Sequence, residues 1–289
     1  MTLQLERPLE PGLLRVIAAV QAGAQAEGLE PLLVGATARD LLLVHVFGQR
    51  VRRATQDVDF AVALTSWKEF EQLKQRLILE QGFADDSRQV QRLVFNAAGE
   101  GEGTTIDLVP FGDLQVDKQT LVWPPEMDVY MTVSGFEEAL STALQVELAQ
   151  GLSVRVASLP ALTILKLFAW GDRGNRNDKD AVDLYTLLRS YSVAGTFDRM
   201  TDPNQALDRY LSFDCDEEKT GAWLLGKDCG TLANDETAAG LSGLWGKPGK
   251  REKLINGMAS EERGIKGSRQ KAESLLSLFV EGFEEATGR

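Results

Sequence analysis

Two kinds of apolar spacing divide the first half of the chain into strands and helices. Four short segments carry apolar runs or alternate apolar with polar residues, the pattern of β-strands: 30–34, 57–64, 89–96 and 104–111. Three segments repeat apolar residues at helical spacing: 11–27, 38–47 and 66–81. The pattern is helical or mixed over 136–148, and a further strand is predicted at 154–156.

From Ser158 onward the pattern predicts almost only helices. Their expected positions are 158–170, 178–192, 203–213, 216–226, 231–242 and 270–285. The Gly- and Lys-rich stretch from Gly243 to Gly267 is predicted to be mobile. We therefore predict an α/β (α+β) fold, with a core over residues 1–157 and a helical C-terminal region over 158–289.

The most informative chemistry lies on strand 57–64, where Asp57 and Asp59 are two residues apart. Residues i and i+2 of a strand point to the same face, so both carboxylates leave the sheet together. Two anions this close repel each other, and a divalent cation removes the repulsion. Such a pair suits Mg²⁺, which keeps water and phosphate oxygens as its other ligands. The alternative is an ordinary strand end with two solvated aspartates.

A turn of small residues, Gly35-Ala36-Thr37, joins strand 30–34 to the next predicted helix. This arrangement aims backbone N–H groups and a helix dipole at an anion. Gly35 allows a close approach of the backbone, and Thr37 offers a hydroxyl to a phosphate or serves as N-cap. Because no complete phosphate-loop signature is present, an ordinary βα turn is the alternative.

A third carboxylate, Asp107, lies inside the apolar run Ile106–Pro110. A charge in such a run is costly unless it is paired or binds a metal. Asp107 could therefore complete a metal site or accept the proton of an attacking hydroxyl. An edge-strand aspartate that faces solvent is the other interpretation. Asp107 lies on the second of two predicted strands, 89–96 and 104–111. These strands are predicted to form a hairpin through the Gly-rich residues 99–103.

Lys166 also lies within an apolar run, on the helix that Ser158 and Pro160 are expected to begin. A lysine in this setting either extends to water or meets an anion. Asp180 opens the following helix and shares a face with Asp183, three residues later. At this position Asp180 could be an acidic cap that interacts favourably with the dipole of its helix.

Composition excludes several classes of protein. The chain of 289 residues is 43% hydrophobic and 26% charged, as in soluble globular proteins, and its apolar stretches are too short to cross a bilayer. No secretory signal pattern begins the sequence. Two cysteines without metal spacing, Cys215 and Cys229, are interpreted as reduced thiols in the cytoplasm. His45 is the sole histidine, which excludes a His-rich zinc site, and it is predicted to be a packing residue.

The net charge of −12 weighs against a general nucleic-acid binder. Charge is unevenly distributed, however: the segment from Lys247 to Lys271 has eight basic and three acidic residues, a local charge of +5. This basic segment could follow a phosphate backbone. It could also be no more than a solvated helix face and loop.

The chain resembles the nucleotidyltransferase superfamily of DNA polymerase β, and specifically its AbiEii-type toxin branch. The resemblance covers about residues 30–190. It is carried by five stretches: Val34–Asp40, Thr55–Phe60, Ile106–Phe111, Ser158–Trp170 and Asp178–Leu184. Gly35-Ala36-Thr37 departs from the usual Gly-Ser or Gly-Gly pair. The long segment between Gly35 and Asp57 favours the toxin branch over the minimal polymerase-type motif.

This resemblance implies a small mixed sheet with helices on one side, which binds two Mg²⁺ ions and an NTP. It implies transfer of a nucleoside monophosphate to a hydroxyl with loss of pyrophosphate. The implied metal ligands and catalytic residues are Asp57, Asp59 and Asp107. The implied NTP-binding residues are Gly35, Ala36, Thr37, Arg39, Lys166 and Asp180, the last closing the site or orienting Lys and Arg side chains.

Three kinds of acceptor or partner remain open. A toxin of a toxin–antitoxin or phage-defence system would modify tRNA or another RNA and would have a cognate antitoxin protein. A small cationic acceptor resembling an aminoglycoside would be attracted by the acidic surface. A relative without catalysis that only binds a partner is disfavoured, because an inactive site has no reason to keep three costly carboxylates.

Overall fold

The computed structural model describes residues 2–50, 57–86, 89–96, 103–117, 119–125, 127–174 and 177–289. Thr55 and Gln56 of the aspartate stretch, residues 99–102 of the hairpin loop and residues 175–176 lie outside this description. Two compact units form, Met1–Ser158 and Leu159–Arg289. The predicted mixed α/β class with a helical C-terminal region is confirmed.

The first unit contains an eight-stranded mixed sheet and a separate two-stranded ribbon. Its strands are β1 Thr2–Gln4, β2 Leu32–Val34, β3 Asp57–Leu64, β4 Phe83–Asp85, β5 Arg92–Phe95, β6 Thr104–Gly112, β7 Thr120–Trp123, β8 Val129–Thr132, β9 Leu144–Ala149 and β10 Leu152–Val156. The order in the large sheet is β1-β9-β10-β2-β3-β6-β5-β4, and β7 pairs with β8. Parallel and antiparallel pairs alternate from β1 to β5 in this order, and the last pair, β5 with β4, is again antiparallel. The predicted hairpin between β5 and β6 is confirmed.

Among the described residues of this unit, four α-helices and one π-helix accompany the strands. They are α1 Pro11–Ala26, α2 Gly35–Asp40, the π-helix Leu41–Val46, α3 Trp67–Glu80 and α4 Phe136–Ser141. The helix predicted at 38–47 therefore begins earlier, at Gly35, and its second half is the π-helix Leu41–Val46. Ser66 caps α3 by accepting a hydrogen bond from the backbone N–H of Glu69.

The in-register parallel pairing of β3 with β6 forms the centre of the sheet. Val58 and Phe60 lie beside Ile106 and Leu108, and all four side chains are buried. Because side chains alternate along a strand, Asp57, Asp59 and Asp107 point to the opposite face. The apolar face therefore fixes which face the aspartates occupy.

The sequence did not predict the four short strands β1, β4, β7 and β8. Segments of three or four residues carry too little alternation to be distinguished from loops. The ribbon β7–β8 depends on a tertiary contact: Trp123 packs on Trp67 and Phe70 of α3, with ring centroids 5.4 and 5.8 Å away. Such a contact between distant segments is invisible to local patterns.

The second unit consists of helices in its described residues. They are α5 Leu159–Arg173, α6 Lys179–Ser190, α7 Phe197–Thr201, α8 Leu207–Ser212, α9 Glu217–Leu232, α10 Asp235–Trp245, α11 Pro248–Met258 and α12 Ser268–Thr287, with short 3-10 turns at Tyr191–Val193 and Ser260–Glu262. The helix predicted at 203–213 is shorter in the structure, where it is α8, and the short helix α7 precedes the predicted range.

The prediction that Gly243 to Gly267 is mobile was wrong, because this stretch contains α11. Pro248 occupies the first turn of the helix, where its missing N–H costs nothing. Leu254, Ile255 and Met258 are fully buried where α11 contacts α6 and α12. The Gly and Lys content of the segment concealed this apolar face.

Helices α9 and α12 pack with direct backbone contact. A Cβ atom added at Gly226 would lie 1.9 Å from the carbonyl oxygen of Phe279, and one at Gly282 would lie 2.1 Å from that of Trp223. Both contacts are with backbone, which cannot move as a flexible side chain can. Glycine at these two positions therefore allows the short distance between the helices. Trp245 packs edge to face against the rings of Phe279 and Phe283 on α12.

We expect Gly226→Ala to lower the free energy of unfolding by about 1–3 kcal/mol or more, because the added methyl forces α9 and α12 apart. Gly243→Ala is the matched control. It lies inside α10 with nothing within 4 Å of an added Cβ, so the higher helix propensity of alanine should leave stability unchanged or raise it. Thermal unfolding followed by circular dichroism measures both, and equal melting temperatures would contradict the packing account.

Candidate active site

Three adjacent strands bring four charged side chains into one patch of the sheet. Asp59 of β3 is the register partner of Asp107 on β6, and Asp107 is the partner of Arg92 on β5. Asp57 lies one pleat away from Asp59 on the same face. We call Asp57, Asp59 and Asp107 the carboxylate face. The prediction that Asp57 and Asp59 share one face of their strand agrees with the register, and the position of Asp107 beside Asp59 is a finding of the structure.

Gly35 lies directly against the carboxylate of Asp59. Its φ is +70°, in the left-handed region, and an added Cβ would be 2.0 Å from Oδ2 of Asp59. Only glycine satisfies both constraints at this position. The first turn of α2 is thereby held beside the carboxylate face, as the small-residue turn predicted.

Thr37 is nearly fully buried, and its hydroxyl donates to the backbone carbonyl of Asp57 over 2.8 Å. The alternative in which Thr37 is the N-cap was wrong: α2 begins at Gly35, its N-cap residue is Val34, and Thr37 lies in the first turn. The hydroxyl therefore anchors the strand that carries Asp57. Ala36, between Gly35 and Thr37, is half-buried.

Arg39 has only 2% of its surface exposed. Its guanidinium pairs with the neighbouring Asp40, with Nε 2.8 Å and Nη2 2.6 Å from Oδ1. A direct contact between Arg39 and a nucleotide would require the guanidinium to leave this enclosed position. The geometry supports a role in holding α2 in place.

Arg92, which the sequence did not single out, binds Asp107 through two parallel hydrogen bonds. Nε reaches Oδ1 and Nη2 reaches Oδ2, both over 2.8 Å. The hydrogen bonds that Arg92 donates to Asp107 raise the pKa of Arg92 well above its usual value, and the charges of Asp107, Asp57 and Asp86 add to the effect. In the described part of the chain, no three His, Cys, Asp or Glu side chains gather into a metal-binding group. The role of Asp107 as third metal ligand stays a prediction.

In the second unit, Lys166 lies between two buried carboxylates. Its Nζ is 2.6 Å from Oδ2 of Asp183 and 3.2 Å from Oδ1 of Asp180. Arg173 donates two further hydrogen bonds to Asp180, over 2.7 and 3.0 Å. Burial, the largest influence on Asp180, opposes its ionisation, but the bonds from Arg173 and the charge of Lys166 together lower its pKa below the usual value.

Asp180 therefore orients a lysine and an arginine and makes these contacts in the first turn of α6. Of the two sequence interpretations, the orienting one describes the side-chain contacts, although the carboxylate also lies near the positive end of the helix dipole. Whether Lys166 meets a triphosphate stays a prediction.

The remaining candidate residues have structural surroundings. His45 is half-buried, with Nδ1 3.1 Å from the carbonyl oxygen of Arg7, in agreement with a packing role. Cys215 is exposed and Cys229 is buried, and both are free thiols. Within the described residues, no helix combines the length and apolar character needed to cross a membrane.

Intramolecular ion pairs partly neutralise the basic segment from Lys247 to Lys271. Arg269 pairs with Glu252, and Lys271 with Glu218. Three lysines at the beginning of α11 or within it are exposed to solvent: Lys247, Lys250 and Lys253. The positive surface that a polyanion could meet is therefore narrower than the sequence suggested.

Three solved structures illustrate what the chain resembles. The antibiotic-resistance factor ANT(2'')-Ia is 15% identical, with TM-score 0.35 over 70% of this chain and 95% of its own. An H. pylori protein assigned to the nucleotidyltransferases is 14% identical, with TM-score 0.37 over 97% and 98%. The Thermotoga maritima CCA-adding enzyme complexed with tRNA is 12% identical, with TM-score 0.26 over 96% and 84%. TM-scores this low carry no argument about substrate or mechanism.

A family model gives the decisive comparison. No curated protein matches the chain. The model of the AbiEii nucleotidyl transferase toxin, described as a type IV toxin–antitoxin system, matches residues 19–245, well over half of the sequence. This span includes the carboxylate face, Gly35, Lys166 and Asp180. The chain belongs to the AbiEii family of nucleotidyltransferase toxins and is a nucleotidyltransferase.

Proposed function

We propose that the chain moves a nucleoside monophosphate from an NTP to an acceptor hydroxyl, and that the carboxylate face is its reaction centre. The observation that carries the proposal is the in-register alignment of Asp59 with Asp107, with Asp57 on the same face and Gly35 against Asp59. A site where three carboxylates share one sheet face with the beginning of a helix suits the binding of a metal–triphosphate complex.

The residues fit Mg²⁺ at Asp57 and Asp59. Both offer hard oxygen ligands on one face, and the absence of a side chain at Gly35 leaves room for the Asp59 carboxylate to keep its position there. When bound there, Mg²⁺ would supply Lewis-acid stabilisation to phosphoryl oxygens. A second ion with Asp107 as ligand would have to share the Asp107 carboxylate with Arg92.

The protein groups have separable roles in this proposal. Gly35 and Ala36 present the backbone of the first turn of α2 to phosphate oxygens. Thr37 and Arg39 act from buried positions, Thr37 by anchoring Asp57 and Arg39 by pairing with Asp40. Lys166, oriented by Asp180 in the second unit, is proposed to bind the triphosphate because the family resemblance implies this role.

We infer an RNA acceptor, with tRNA as the first candidate, and a cognate antitoxin protein as partner. The support is the family, whose model is that of a toxin in a toxin–antitoxin system. The exposed lysines Lys247, Lys250 and Lys253 give a polyanion a contact surface on a chain whose net charge is −12. Such a reaction would take place in the cytoplasm.

Removal of a carboxylate should abolish transfer without unfolding the protein. We expect Asp57→Asn and Asp59→Asn each to reduce transfer by about 10³-fold, because a lost metal ligand removes several kcal/mol of transition-state stabilisation. Asp113→Asn, an exposed aspartate just beyond the far end of β6, is the control and should keep full activity. Incubation with each α-labelled NTP, Mg²⁺ and total cellular RNA measures the transfer, and near-normal activity of both variants would refute the assignment.

Gly35→Ala should separate the strain of a left-handed backbone from the contact with Asp59. The control is Gly28→Ala, since Gly28 has almost the same φ, +71°, but nothing within 4 Å of an added Cβ. Both variants should lose about 1–2 kcal/mol of stability from the backbone strain. Only Gly35→Ala should also lose most of its Mn²⁺ affinity and transfer activity, because its methyl displaces the carboxylate of Asp59. Equal activity in the two variants would exclude a role for this contact.

The acceptor can be tested by charge reversal on α11. We expect Lys247→Glu/Lys250→Glu/Lys253→Glu to weaken RNA binding. The slope of the logarithm of the binding constant against the logarithm of the salt concentration should become less steep by about two, because three phosphate contacts are lost. Arg251 is left intact because it donates to Ser277. The control triple Lys68→Glu/Lys219→Glu/Arg289→Glu changes net charge equally outside the basic segment.

A small cationic acceptor makes the opposite prediction, favoured by the net charge of −12. Added glutamates would then leave the reaction unchanged or accelerate it. If both triple variants bind RNA as the unmodified protein does, α11 has no role in RNA recognition. If the reaction proceeds with an amino sugar and not with RNA, the second acceptor is correct.

A further inference from the structure

Arg92 belongs to the same row of side chains as the proposed metal ligands. The row crosses three strands in register: Asp59 on β3, Asp107 on β6 and Arg92 on β5. Asp107 is the middle member, and both of its oxygens accept hydrogen bonds from Arg92 at 2.8 Å. Both oxygens of Asp107 are thus already engaged, and a metal beside Asp59 would have to compete with the guanidinium for their charge.

The Arg92–Asp107 ion pair has the properties of a stable interaction. It is bidentate and charge-assisted, the strongest geometry for an ion pair. The two side chains are only 24% and 17% exposed, so water screens them little. Breaking such a pair leaves an uncompensated charge in a partly buried position, which is costly.

Arg92 interacts electrostatically with more than one carboxylate. Besides Asp107, the charges of Asp57 and Asp86 also stabilise its protonated form. A guanidinium is always charged in proteins and does not exchange with solvent ions. Arg92 therefore provides a fixed positive charge at the place where the repulsion among Asp57, Asp59 and Asp107 needs one.

We propose that Arg92 is a positioning residue that holds Asp107 out of metal coordination. The chain then binds one divalent cation through Asp57 and Asp59, and the Arg92–Asp107 pair takes the place of a second ion. This inference rests on the metal site of the proposed function and differs from the two-ion arrangement that the family resemblance implied. A guanidinium supplies charge but no Lewis acidity, so its contribution is electrostatic.

The test counts Mn²⁺ ions bound to the full-length protein without nucleotide, from the electron paramagnetic resonance signal of the free ion. The wild-type chain should bind one ion. Arg92→Gln/Asp107→Asn removes both members of the pair and leaves no unpaired charge, so it should still bind one ion with an affinity within about two-fold. Asp59→Asn should weaken binding by more than about ten-fold, since even changes around a metal ligand cost this much.

Arg92→Gln alone gives the positive result, because it releases Asp107. We expect a second bound ion, or tighter binding of the first by about ten-fold or more, and the loss of this gain when Asp107→Asn is added. Arg92→Lys keeps the charge and should retain one ion. A purely structural role for Arg92 would alter the melting temperature of these variants without changing the number of ions.

The outcomes separate this inference from the proposed function. Two ions on the wild-type chain, with one lost in Arg92→Gln/Asp107→Asn, would overturn the inference and leave the proposed function intact. An absence of any bound ion on the wild-type chain would overturn both. If Arg92→Gln does not fold, the comparison of the wild-type chain with the double variant still decides the number of ions.

Discussion

Electrostatic repulsion among three aspartates on one sheet face is the constraint on which the site depends. The apolar residues of β3 and β6 fix the register, and the register fixes Asp59 beside Asp107 with Asp57 one pleat away. Carboxylates this close need compensating positive charge. Arg92 supplies it to Asp107 through two hydrogen bonds. In our proposal Mg²⁺ supplies it to Asp57 and Asp59, so that the unfavourable clustering of charge becomes a binding site.

Both units contain clustered carboxylates that need compensating positive charge, and the charge comes from different groups in each. In the second unit, Asp180 and Asp183 are more deeply buried than the carboxylate face, and Lys166 and Arg173 form ion pairs with them. A glycine contact fixes the geometry in each unit. Gly35 brings a helix start to Asp59, while Gly226 and Gly282 allow α9 and α12 to touch through their backbones.

Much of this organisation follows from local sequence. The strand Asp57–Leu64 forms where a strand was predicted, because Val58, Phe60 and Val62 alternate strictly with shorter or charged residues. Arg92 was missed because its importance arises from pairing across strands, and nothing in its own segment distinguishes it from a solvent-facing arginine. The helix over Pro248–Met258 was missed because glycines and lysines surround a short apolar face that only tertiary packing reveals. The burial of Thr37 and Arg39 likewise depends on contacts that sequence spacing does not encode.

The most direct test of the account is a crystal structure of the chain with Mn²⁺ and a non-hydrolysable NTP analogue, with the metal located by its anomalous scattering. The account predicts anomalous density between the carboxylates of Asp57 and Asp59, with the triphosphate beside Gly35 and the first turn of α2. A nucleotide bound away from this face, or a metal that contacts neither aspartate, would contradict it.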